Sequence, residues 1–100
     1  MLNPIQLKYI LYRNLDSKRF ECAAPDSDTT VNFRLYNKAT REIEARGWIH
    51  INLNGTLLFS TDFISRPKTI KTKELKKELQ RFYKQATRKS LGLPVDKPYN

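Results

Sequence analysis

The dipeptide Asn54-Gly55 constrains this chain more than any other pair of neighbours in it. The residues on either side, 48–53 and 56–63, favour strands, being rich in β-branched, aromatic and other apolar residues. Asn-Gly tolerates the positive φ angles of a tight hairpin turn, whose twist matches the strands it joins. The sequence therefore predicts an antiparallel hairpin in the middle of a chain of 100 residues, a length that suits one small domain. Before the hairpin the period changes. Leu35, Ala39, Ile43 and Arg46 fall at i, i+4, i+8 and i+11, with Tyr36 beside them. This spacing predicts a helix over residues 32–46. Gly47 then serves as a left-handed C-terminal cap that delivers Trp48 and Ile49 to the core.

Signals elsewhere are more local. Asn3-Pro4 is a helix start, an N-cap residue followed by the residue best tolerated at the first helical position, and predicts a helix over residues 4–14. The apolar density there also fits a strand, KYILYRN, paired with RFECAA. With the helix in place, Asp16 or Ser17 can cap a short second helix, SKRFECAA, which Pro25 stops. PDSDTT reads as a loop. Arg66-Pro67 ends the hairpin, and Thr72 can cap a last helix, KTKELKKELQRFYKQATRKS, with an apolar stripe of Leu75, Leu79, Phe82, Tyr83 and Ala86. The ending LGLPVDKPYN reads as a loose tail. The expected organisation is a domain over residues 1–66, a basic C-terminal helix over 67–91 and a flexible tail over 92–100.

Ala39-Thr-Arg-Glu-Ile43-Glu-Ala-Arg-Gly47-Trp-Ile49 resembles the end of a recognition helix in the winged helix-turn-helix DNA-binding domains, with the hairpin as the wing. The resemblance covers residues 4–63. It is nearest to the short domains of bacterial transcriptional regulators and of plasmid or phage replication proteins. It implies an α+β winged-helix fold and sequence-specific binding of double-stranded DNA, as a small regulator or as a replication or maintenance factor of a mobile element. With Leu35, Ala39 and Ile43 inward, the opposite helix face presents Arg34, Asn37 and Arg41 to base edges, while Lys38 reaches a phosphate. Asn52 and Asn54 at the wing tip can touch the sugar-phosphate edge.

The placement of charge agrees with a polyanionic partner. Of the net +9, residues 1–63 hold eight Lys/Arg against seven carboxylates, whereas residues 64–100 hold eleven against three. Lys71, Lys73, Lys76, Lys77, Arg81 and Lys84 of the last helix are candidates for sequence-independent phosphate contacts, with Arg88 and Lys89 beyond them. Its apolar stripe serves either to pack on the domain or to join the same helix of a second subunit in a homodimer. No apolar run reaches the roughly twenty residues that span a bilayer, and the N-terminus lacks a signal-peptide layout, so a cytoplasmic, nucleoid-associated protein is expected.

One cysteine, Cys22, and one histidine, His50, supply too few ligands for a metal site, and no phosphate loop or nucleophile-base pattern is present. A protein without cofactor, metal or catalytic activity is therefore expected. Two other functions fit the composition. Were residues 31–36 a strand, the succession of helix, strands and basic helix would describe a double-stranded-RNA module, although its Gly-Pro-x-His and Lys-Lys-x-Ala features are missing. A phage-type inhibitor or interaction protein, with a basic tail docked on an acidic partner, is the other.

Overall fold

Val31, Phe33 and Leu35 are fully buried while Asn32 and Arg34 between them are exposed, a period of two that belongs to a strand. In the computed structural model of the chain, which describes residues 2–24 and 29–95, these residues form strand β2. The strands are β1 (Phe20–Ala23), β2 (Thr30–Asn37), β3 (Ile43–Ile51), β4 (Leu57–Thr61) and β5 (Lys68–Ile70). They pair antiparallel in chain order, each with the next, as a five-stranded meander. Helix α1 (Pro4–Leu15) precedes the sheet, and a turn of 3-10 helix (Thr72–Glu74) leading into α2 (Leu75–Ser90) follows it.

The fold is α+β, but the helical N-terminal half of a winged helix is replaced by strands, and the winged-helix expectation is overturned. Residues 32–46, expected as one recognition helix, divide between β2, a turn and the start of β3. The register Phe33 to Gly47, Arg34 to Arg46 and Leu35 to Ala45 joins the two strands. Asn37 makes the reversal: its Oδ1 accepts from the backbone N–H groups of Ala39 at 2.9 Å and Thr40 at 3.2 Å, and Arg41 turns the chain at φ 67°. Ala39, expected inward, is exposed on this turn.

Gly47 is correspondingly no helix cap. It lies within β3, where an added Cβ would fall 2.4 Å from Phe33 Cζ, so the missing side chain makes room for the ring opposite. Trp48, next along, leaves the core for the other face, while Ile49 is buried. The expected second helix, SKRFECAA, is β1 instead; Asp16 Oδ1 accepts from Cys22 N at 2.6 Å and Ser17 Oγ from Phe20 N at 3.1 Å, fixing its start against the end of α1.

Other elements follow their local signals. Asn3 Oδ1 accepts from Gln6 N and Gln6 Oε1 from Asn3 N, a capping box that starts α1. The hairpin closes through Asn52 N to Thr56 O at 2.9 Å, with Gly55 at φ 88°. The last helix is capped differently from expectation: Glu74 Oε1 accepts from Lys71 N, and Thr72 opens the 3-10 turn. Of the loop PDSDTT, residues 25–28 lie outside the described residues and Thr30 already begins β2. Of the expected tail, residues 96–100 lie outside them too, while Arg88 Nε donates to Pro94 O at 2.6 Å.

Both helices cover the same face of the sheet. Leu7, Leu11 and Leu15 of α1, and Leu75, Leu79, Phe82 and Ala86 of α2, join the inward strand residues in one cluster. Edge-on ring pairs, Phe33 with Phe82 at 5.3 Å and Phe20 with Tyr83 at 5.5 Å, anchor α2 across β1 and β2. The apolar stripe of α2 is thus used within the chain, in the same core as the sheet. No helix among the described residues is long and apolar enough to cross a membrane.

Candidate nucleic-acid interface

The alternation that buries one set of strand residues turns a second set to the uncovered face of the sheet. In register across β2, β3 and β4 stand Asn32, Trp48 and Ser60; one row over stand Thr30, His50 and Leu58; one row the other way stand Arg34 and Arg46. Trp48 is half-buried and Arg34, Arg46 and Asn32 are exposed. Arg34 Nη1 donates to the Tyr36 hydroxyl at 3.3 Å, Thr30 Oγ1 and His50 Nδ1 are 2.8 Å apart, and Asp62 Oδ2 accepts from Arg46 N at 2.8 Å. Between Trp48 and the two arginines lies a depression of about 530 Å³, bordered also by Asn32, Ser60 and Asp62. An indole face, two guanidinium groups and short hydrogen-bonding side chains in one shallow hollow can hold a planar, anionic ligand by stacking and by charge-assisted hydrogen bonds.

A second surface is the outer side of α2. Lys76, Lys77, Arg81, Lys84 and Lys89 are exposed there, and Lys73 is exposed in the 3-10 turn before it. Only two carboxylates, Glu74 and Glu78, stand among them in this stretch. Glu74 accepts the Lys71 backbone N–H, and Glu78 is buried, with Lys68 Nζ at 2.7 Å and Arg81 Nη1 at 3.4 Å. Lys89 Nζ donates to Glu44 O at 2.7 Å, tying the end of the helix to β3. A groove of about 320 Å³ runs between α2 and the segment after β4, lined by Phe63, Ile64, Arg81, Phe82, Lys84 and Gln85 among others.

The expected base readers do not share a surface. Arg34 lies on the uncovered sheet face; Asn37 is engaged in its turn and donates from Nδ2 to Glu44 Oε1; Arg41 lies in that turn, 3.8 Å from Glu21 Oε2. Lys38 is exposed in the same turn, its backbone N–H donating to Arg19 O. Asn52 and Asn54 bond Thr56 across the hairpin and shape it, leaving Leu53 fully exposed at the tip. Lys71, Lys73, Lys76, Lys77, Arg81 and Lys84 remain together on and before α2. Sequence reasoning missed Asn32, Arg46 and Trp48 as a set. Alternation of 45, 47, 49 and 51, carried through the glycine instead of stopped at it, would have placed Arg46 and Trp48 on one face, and alternation of Val31, Phe33 and Leu35 would have placed Asn32.

Cys22 is buried, and its thiol is pushed up to about 12 by that burial and by the negative charge of Asp16, which leaves it a poor nucleophile near neutrality. No protein-family model, curated protein or solved structure matches the chain.

Proposed function

We propose that the protein binds nucleic acid without catalysing a reaction, holding the phosphate backbone through the outer side of α2. The observation that carries this is the row of exposed Lys and Arg on α2 whose neighbouring carboxylates are drawn into a cap and into the core. Cations arranged in this way can meet several phosphates of one backbone at once, and each phosphate neutralised releases counterions, an entropic gain. The contact is sequence-independent, since the side chains once expected to read bases from one helix stand on a strand and in a turn. A second reading, a duplex-RNA module, is favoured by the extended conformation of residues 31–36 and by two helices on one face of a meander.

Labelled duplex DNA, duplex RNA and single strands, titrated between about 50 and 200 mM salt, test both. Affinity should fall linearly on logarithmic axes. The triple variant Lys76→Ala, Lys77→Ala, Lys84→Ala should lower the steepness by about two to three and weaken unrelated sequences alike. Binding by the variant equal to that of the parent sinks the proposal; a clear preference for duplex RNA selects the second reading.

A further inference from the structure

We infer that the uncovered sheet face is a stacking platform for unpaired bases, and that a single strand passes from Trp48 around the end of β4 to α2. The inference rests on the proposal that α2 holds phosphates and adds the form of nucleic acid held. Three observations carry it. The first is chemical: Trp48 has Asn32 and Ser60 in register on either side and Arg34 and Arg46 in the next row, which joins a base-stacking ring to edge-bonding groups and phosphate-seeking guanidinium groups.

The second is the edge. β5 pairs only with Leu57, Leu58 and Phe59, so among the described residues Ser60 and Thr61 have no strand beyond them. Thr61 borders both the depression beside Trp48 and the groove that holds Arg81 and Lys84 on the helix side. The two surfaces therefore meet at the end of β4, where in place of a fifth strand the chain turns back on itself, Phe63 N donating to Thr61 Oγ1 and Ile64 N to Thr61 O, and the molecule is only 18 Å through its thinnest dimension.

The third is rigidity. Duplex DNA has a persistence length of about 150 base pairs, so folding it round such a corner within a few base pairs is costly, and five strands at about 4.8 Å spacing are too wide for a major groove of about 12 Å. An unpaired strand bends within a few nucleotides and exposes its bases to the indole.

Trp48 is the one tryptophan of the chain, so its emission reports the site without a label. Oligothymidylate and oligouridylate of about twelve nucleotides, within the usual span of single-strand sites, should each quench it to saturation, whereas a blunt duplex of equal length should not. Oligodeoxyuridylate, which differs from oligouridylate only in lacking the 2′-hydroxyl, then identifies the preferred sugar. Trp48→Ala should lose about tenfold to a hundredfold in single-strand affinity and keep its binding to duplex, while Trp48→Phe retains most of both. Should Trp48→Ala fail to fold by circular dichroism, the exposed Arg46→Ala substitutes for it, with the same selective loss expected. Unchanged emission on single-strand binding, or single-strand affinity at the parent's level in both Trp48→Phe and a folded Trp48→Ala or Arg46→Ala, overturns the inference. If the α2 triple variant alone loses binding, the phosphate proposal survives without it; if no polynucleotide binds, both fall.

Discussion

Gly47 is required by its neighbour and not by its own backbone. A Cβ there would lie 2.4 Å from Phe33 Cζ and 2.9 Å from Ser60 O, and Phe33 cannot simply move because its ring meets Phe82 edge-on. Gly47→Ala should therefore cost about 1–3 kcal/mol through overpacking. Phe33→Ala should cost about 3–5 kcal/mol through the cavity it opens. Combined, the two changes should cost less than their sum by at least about 0.5 kcal/mol, since the alanine methyl then enters space the ring has left. Urea denaturation of the four proteins checks this; simple additivity would mean that ring and glycine are not coupled. The contact bears on the proposed site as well, because it holds β2 against β3 where Arg34 faces Arg46 and Asn32 faces Trp48.

At the scale of elements, β5 is three residues long and is joined to α2 by Lys68 and Glu78. Glu78 is 8% exposed, so removing Lys68 strands a buried carboxylate beside Arg81 alone, at 3.4 Å. Lys68→Ala should cost about 3 kcal/mol, whereas Arg41→Ala, which breaks the exposed pair with Glu21, should cost less than about 1 kcal/mol. Thermal unfolding of the two variants should show that contrast, and equal losses would mean that burial does not set the worth of the Lys68 pair. Elements whose signals are local were legible in the sequence: the Asn3-Pro4 start of α1, the Asn54-Gly55 turn and the amphipathic stripe of α2 each depend on residues within a few positions. Residues 31–46 were not, because Leu35, Ala39 and Ile43 happen to fit a helical period while Val31, Phe33 and Leu35 fit a strand. That tie is broken only by partners far along the chain, Gly47 and Ile49 on one side and Cys22 on the other. The cationic half of the candidate interface followed from charge placement and was legible; the aromatic half depended on the register of three strands and was not.

Among the described residues, the meander and the two helices leave one broad face of the sheet uncovered, while most of the lysines stand on and before α2 in the opposite layer, so a ligand that uses both surfaces must cross an edge. This makes chain length a test of the arrangement. A single strand of about four nucleotides can occupy the Trp48 depression alone and should quench its emission with a shallow salt dependence, because few phosphates are held there. As the strand lengthens toward about sixteen nucleotides it reaches Arg81, Lys84 and then the lysines nearer the start of α2. Affinity and salt steepness should rise together and then level off once the path is filled. In the Lys76, Lys77, Lys84 triple variant the short strand should bind as it does to the parent, and only the gain with length should shrink. The decisive comparison is the salt slope against oligonucleotide length for the two proteins. A slope independent of length in the parent would mean that the sheet face and α2 do not share one strand, even where each binds nucleic acid on its own.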